Sequence, residues 1–319
     1  MLEYQNRPGG RNWSLYGGDT YTELGGATQH VQFQPGNYLN PGPWRIPHHH
    51  RTLLHYCKAF GVALEPFIQF NHNAFVHSSK AFGGKPRHYR EVAADFEGSV
   101  AELLAKAVNK KALDEEVKGE DRQKLLEALR GWGMLDENMQ YKSNLRSASH
   151  RGYDRPPGRR GGRRADPLAI DTTFSDRLDP MVWTNMAFFM GHEMQTTMFQ
   201  PVGGMGMIGK AFGRQVGQMV TFNAKVTKIM QDTKGVAVTY ADTASGAVQT
   251  AQADFCVCTI PLGVLNQIEN NLAPKMKAAV AAVPYSTQVK IGLEMKRRFW
   301  EEDDALYGGA QLQPIRTSP

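Results

Sequence analysis

The sequence predicts a mixed α/β protein, one part of it a doubly wound, nucleotide-binding kind of domain, and three observations carry the prediction. The chain opens on a short apolar start, Met1 to Tyr4, ending in an acid and running into Gln5-Asn6-Arg7-Pro8-Gly9-Gly10-Arg11; ligands of a doubly wound sheet collect at such carboxyl ends of strands. Apolar residues then recur at helical spacing between Val92 and Trp132, the period of a core-facing helix stripe. Near the other end Val289, Ile291, Leu293 and Met295 alternate with Lys290, Gly292 and Glu294, the two-residue period of a strand with one buried face.

Composition bounds the reading. With 319 residues, 41% of them hydrophobic and 21% charged, the chain is long enough for a sizeable core in two domains and has the make-up of a soluble globular protein. No apolar run approaches the ~20 residues of a membrane helix. The start, Met-Leu-Glu-Tyr-Gln-Asn, has neither a basic n-region nor an apolar h-region, so no membrane partner and a cytoplasmic location are expected. Three cysteines are too few for a disulfide framework, and Cys256 and Cys258, two apart on an apolar run, read as core packing in a reducing compartment.

The opening word suits a nucleotide. A carboxylate at Glu3 accepts from ribose hydroxyls, while arginine and the backbone N–H groups that glycine leaves approachable suit a pyrophosphate. A second word, Asn40-Pro41-Gly42-Pro43-Trp44-Arg45-Ile46-Pro47, holds an arginine in a Pro/Gly-stiffened loop, which presents a guanidinium fork to a carboxylate at little rotamer cost. On residues alone both words read equally as solvated turns.

Taken in order, the chain begins as the end of a strand, without the preceding strand, glycine-rich turn and first helix of a complete βαβ unit; the expectation is a piece of a larger protein or a misplaced gene start. Trp13 to Gln34 reads as hairpin-like strands ending in Glu23-Leu24-Gly25-Gly26, glycines that either turn the chain or let a ligand approach. Leu53, Cys57 and Phe60 mark an amphipathic helix stopped by Gly61. His48-His49-His50 has no Cys, Asp or Glu at ligand spacing, so no metal is expected. Val62 to Phe70 reads as a strand, and a long helical region follows with stripes Val92, Phe96, Val100, Leu103, Ala107 and Leu125, Leu126, Leu129, Trp132.

The net charge of +6 is concentrated in one loop, where six arginines between Arg151 and Arg164 face one acid, Asp154. Arg-Gly-Gly runs bind RNA in flexible segments, yet no aromatic platform is interleaved beyond Tyr153, so the cluster reads as solvated and no nucleic acid is expected. His192-Glu193 lacks the second histidine of a zinc-protease helix. Gly204-Met205-Gly206-Met207-Ile208-Gly209 fits G-x-G-x-x-G literally. However, the stretch before it is polar and contains Pro201, and Asp232 is followed by a hairpin through Thr233-Lys234-Gly235 rather than a crossover. The glycine pattern is therefore read as accidental. Phe255 to Ile260 reads as a buried strand stopped by Pro261.

Both loop words resemble those of the flavin-dependent amine oxidase family, the Gly-Pro-Trp-Arg loop being most similar to the L-amino-acid oxidase branch and related amino-acid monooxygenases. Further similar words are Gly25-Gly26, Gln200 to Met205, Asn223 to Ile229, and Val289-Lys290-Ile291 ahead of Arg298-Phe299-Trp300, so the resemblance runs to about Gly309. It implies an FAD-binding doubly wound domain, here partial, a mixed-sheet substrate domain and a helical subdomain. The segmentation it implies is 1–47 and 195–265 for the FAD-binding domain, 48–80 and 266–319 for the substrate domain, and 81–194 for the helical subdomain with its basic loop.

The resemblance also implies roles. Glu3, Tyr4, Gly10, Arg11, Gly25, Gly26, Gly42, Pro43, Trp44, Arg45 and Val226 are expected at the cofactor, Arg45 on the substrate carboxylate, and Lys290 holding a water beside flavin N5. The implied reaction is amino-acid catabolism: oxidation of an L-amino acid or related amine to an imine, hydrolysis to a keto acid and ammonia, and reduction of oxygen to hydrogen peroxide. A monooxygenase yielding an amide shares every motif. The family's C-terminal cofactor word is missing beyond Gly309, so the alternative expectation is a non-catalytic subunit that needs a complementing chain or a homodimer.

Overall fold

The computed structural model describes residues 1–319 except 24–25, 114, 156–164, 189, 286–288 and 310–319. Helices and strands mix throughout, and the chain divides into two compact units, Met1–Pro66 with Thr197–Lys296, and Phe67–Thr196 with the residues from Arg297 onward.

In the first unit the expected hairpin forms. Strand Ala224–Asp232 pairs antiparallel with Gly235–Asp242, which pairs with Val248–Ala253, while Glu269–Asn270 lies parallel to the first strand. Asp232, spaced as a ribose acid would be, instead accepts from the Lys234 N–H at 2.7 Å inside the turn. Gly235 closes that turn at φ 141°, where a Cβ would lie 2.5 Å from the Ala253 carbonyl oxygen, a position only glycine fills without strain.

Strand Met198–Pro201 lies between Ile46–Pro47 and Leu64–Phe67. Helix Arg51–Ala59 stops at Gly61 with φ 68°, a left-handed helix stop. Its face packs as the spacing predicts: Cys57 joins Ile46, Met205 and Ile208 in a core flanked by Leu53, Phe199 and Phe212, and Phe60 stacks edge-on against Phe212 at 4.9 Å.

The second unit is built on helix Tyr89–Asn109, with Glu120–Trp132 and Leu145–Arg151 beside it. The long helix is where the period predicts, and the expected stripe is inside in part: Val92 is buried and Phe96, Val100 and Ala107 half-buried, but Leu103 is not. Ala94, Ala101 and Ala105 are buried with Leu129, Leu135 and Tyr141, while Leu103 is 49% exposed and Trp132 47%. Small residues win this face because they let neighbours approach: a Cβ at Gly98 would overlap the Tyr141 ring, and one at Gly133 the Ala101 side chain.

Three further expectations are corrected. Met1 to Tyr4 forms only a single parallel bridge, Leu2 to Thr221. Phe255 to Ile260 joins no ladder among the described residues; Phe255 and Val257 are 89% and 90% exposed, and Cys256 and Cys258 are exposed thiols rather than core. Residues 289–295 likewise form no strand. Their alternation does not sort them between core and solvent: Val289, Ile291 and Leu293 are 76–78% exposed, and Lys290 and Glu294 are exposed too. An apolar alternating run has the side chains of a strand, but only an adjacent strand supplies the hydrogen bonds that make it one.

The basic segment is also reread at its start. Arg151 is not solvated but 1% exposed, donating from Nε to Asp95 Oδ1 at 2.7 Å. Among the described residues no helix is long and apolar enough to cross a membrane.

Candidate functional site

The two loop words of the first unit meet. Gly42 packs its α-carbon against the Arg11 carbonyl, which a Cβ at Gly42 would overlap, so glycine is required there by close backbone approach. The Glu3 carboxylate accepts from the Gln5 N–H at 2.9 Å, and the Glu3 carbonyl accepts from Ala224 N at 2.8 Å. That second bond sets the opening word two residues from Val226, which sits half-buried beside a bulge in strand Ala224–Asp232.

Gly9 and Gly10 turn the word at φ 96° and 52°. A Cβ at Gly10 would meet nothing within 4 Å, so its backbone faces open space. Arg7 is committed elsewhere, donating to the Gly10 carbonyl at 2.9 Å and lying 4.1 Å above the Trp13 ring; burial pushes its pKa down, against the raising fields of Glu3 and Asp19. Arg11 is exposed, as is Tyr4 at 56%. This donor set fits one rim of a dinucleotide: an acid, open glycine backbone and a surface guanidinium.

The second word gathers the expected catalytic and substrate residues. Trp44, 40% exposed, has the Arg45 guanidinium 5.6 Å and the Lys290 ammonium 5.7 Å from its ring centre, within the range of cation–π attraction. Lys290 donates to the carbonyl of Asn40 at 3.3 Å and to that of Gly42. Burial pushes its pKa below the usual lysine value, because carbonyls and indole replace part of the water that stabilises the charge. Pro43 is exposed on the same loop. Two cations thus lie near one exposed indole.

The glycine-rich turn has a packing role. Tyr16 Oη donates to the Gly203 carbonyl at 2.6 Å, and Gly204, at φ 95°, lies where a Cβ would be 2.5 Å from Ser14 Oγ. Helix Gly206–Val216 has no side-chain cap of its own. Instead Met205 N donates to Asn40 Oδ1 at 3.0 Å and Gly206 N to Ser14 Oγ at 2.9 Å, while Ser14 Oγ donates to Asn40 Oδ1 at 2.6 Å. Sequence reasoning missed Ser14 and Asn40; their only signal is two small polar residues flanking the two words. Gly26, at φ 91°, donates to Glu23 O at 3.0 Å in a turn, and no bond among the described residues brings it to the cluster; Gly25 lies outside the described residues.

The sequence profile of the family described as flavin containing amine oxidoreductase matches residues 1–318. Similar curated proteins include an L-amino-acid oxidase of Bothrops jararacussu, 30% identical over 86% of this chain and 53% of its own, and one of Vipera ammodytes ammodytes, 29% identical over 97% and 59%. The chain thus spans a little over half the length of these relatives. Among solved structures, cyclohexylamine oxidase from Brevibacterium oxydans IH-35A aligns over 88% of this chain and 56% of its own at 16% identity, with a TM-score of 0.41.

Proposed function

The chain belongs to the flavin-containing amine oxidoreductase family, and on that premise we propose that it oxidises an L-amino acid, or a related amine, to an imino acid that water hydrolyses to a keto acid and ammonia, with FAD as cofactor and oxygen reduced to hydrogen peroxide. The observation that carries the reading is the convergence of Arg45 and Lys290 on Trp44. Bound FAD supplies the two-electron acceptor. Glu3 would hold its ribose, the Gly10 backbone and Arg11 its pyrophosphate, and Val226 its adenine, with Tyr4, Gly42, Pro43 and Trp44 lining it.

The protein's own part is alignment. Arg45 pairs with the substrate carboxylate through a charge-assisted fork, which fixes the reacting C–H against its acceptor and so converts an encounter into an oriented reaction. Lys290 would hold a water for imine hydrolysis. Its ammonium is already partly stripped of solvent, so a water or carboxylate meets it at a smaller desolvation cost. The experiment is flavin absorbance of the purified chain after gel filtration with FAD, then peroxide release across amino acids. A folded chain that retains no flavin overturns the autonomous reading. Keto acid rather than amide as product separates oxidase from monooxygenase.

A second reading, that activity requires a complementing chain or a second copy, is supported by the exposed apolar residues Phe255, Val257, Val289, Ile291 and Leu293. Exposed apolar stretches of this kind offer a surface that a partner chain or a second copy can cover. Flavin retained only by a larger species in gel filtration supports this reading; retention by a monomer overturns it.

A further inference from the structure

We propose that Asn40, seconded by Ser14, is the positioning residue of this site: its side chain fastens the Asn40 to Arg45 loop to the start of helix Gly206–Val216, and its backbone carbonyl, so fixed, holds the Lys290 ammonium beside Trp44. The first N–H groups of a helix have no partner within it. A local Ser, Thr, Asp or Asn usually supplies one, but the residue in that position is Met205. Ser14, 2% exposed, and Asn40 do so from far away in the sequence. Gly206 N, Ser14 Oγ, Asn40 Oδ1 and Met205 N form one connected set of bonds of 2.6 to 3.0 Å, and removing either side chain leaves a helix N–H without its acceptor.

Lys290 depends on this anchor through its two carbonyl acceptors. Its apolar neighbours Val289 and Ile291 are 78% and 76% exposed, while Gly292 lies close against Phe33 and Leu39. Exposed polar bonds also seat the segment, with Lys290 on the Asn40 and Gly42 carbonyls and Glu294 on the Gln34 N–H at 3.0 Å. Both acceptors of Lys290 belong to the loop that Asn40 fixes. The catalytic use of this placement rests on the proposed function; the placement itself does not.

The test is acetylation of Lys290 by acetic anhydride at one pH, quantified by mass spectrometry against the exposed Lys277 as internal reference, in the full chain without flavin. Asn40→Ala is expected to raise the Lys290 to Lys277 labelling ratio roughly fivefold, the scale of one lost hydrogen bond. Asn40→Asp keeps the acceptor and is expected to restore the ratio to within about twofold of the parent, a rescue that general loosening would not give. Ser14→Ala is expected to shift the ratio in the same direction by less. An unchanged ratio in folded Asn40→Ala, or Asn40→Asp behaving as Asn40→Ala, overturns the proposal. Should Asn40→Ala fail to fold by circular dichroism, Ser14→Ala decides, and an unchanged ratio there overturns it. A labelling shift in a chain that oxidises no amino acid keeps this inference and sinks the proposed function alone.

Discussion

Gly9 and Gly209 meet backbone to backbone: a Cβ on Gly9 would lie 2.9 Å from the Gly209 α-carbon, and one on Gly209 would lie 2.8 Å from that of Gly9. The contact presses helix Gly206–Val216 onto the opening word, and Gly213 continues it, since a Cβ there would sit 2.6 Å from Pro8 Cγ. A pattern that looks like a phosphate loop is thus used to bring a helix close to another loop.

Gly209→Ala is expected to destabilise the chain by about 1–3 kcal/mol, the usual cost of overpacking where backbone cannot retreat. Gly217→Ala, at a position where a Cβ meets nothing within 4 Å and φ is −57°, is expected to be neutral or to stabilise by about 0.5 kcal/mol. Urea denaturation of the two variants beside the parent checks this, and equal midpoints for both would count against the contact.

Asp95 and Arg151 form an ion pair with both side chains 1% exposed, and the same carboxylate accepts from Tyr141 Oη at 2.8 Å and Thr172 Oγ1 at 3.0 Å. Removing one partner of a buried pair strands the other charge, so Asp95→Ala is expected to cost about 3–5 kcal/mol. The double variant Asp95→Leu with Arg151→Met is expected to recover most of that loss, because it leaves no unpaired charge. Thermal denaturation of the single and double variants measures the coupling.

Tyr141 sets an alkaline limit. Burial, then the charge and hydrogen bond of Asp95, push its pKa far above the ordinary tyrosine value. The folded chain therefore keeps this proton where the unfolded chain releases it, so stability is fully present below about pH 10, the unfolded tyrosine pKa, and falls as pH rises beyond it. Tyr141→Phe is expected to be less stable at neutral pH and to lose less on going from pH 9 to pH 11. Denaturant midpoints across that range, parallel in parent and variant, would refute the assignment.

Arg45→Ala is expected to raise KM for amino acids by roughly a hundredfold or more, the loss of a charge-assisted pair of about 3 kcal/mol, while changing KM for the corresponding decarboxylated amine by less than about threefold. Peroxide release from matched amino acid and amine pairs reads both. An equal effect on the two substrates would remove Arg45 from the carboxylate.

Several parts of the fold were legible in the sequence. The helix ending at Gly61, the hairpin across Thr233 and Lys234 and the helical region from Tyr89 depend on near neighbours in sequence, whose spacing and turn residues state the local preference directly. The buried face of helix Tyr89–Asn109 was legible only in part, at Val92. Leu103 is more hydrophobic than Ala101, yet Ala101 is inside because the neighbouring helices approach on its side. Arg151 looked like one more solvated arginine because its partner, Asp95, lies on another helix.

The sequence by itself determined the two loop words, their stiff Gly/Pro chemistry, the helices and hairpins between them and the family to which these belong. The tertiary structure alone decided that Arg11 and Gly42 touch, that Ser14 and Asn40 cap a helix starting beyond Met205, and that Lys290 rests on the Trp44 loop. It also left Val289, Ile291 and Leu293 facing outward. The reason is physical: turns and periodicity are fixed by bonds between near neighbours, whereas caps, close backbone approaches and strand pairing depend on which distant groups are brought within about 3 Å of one another.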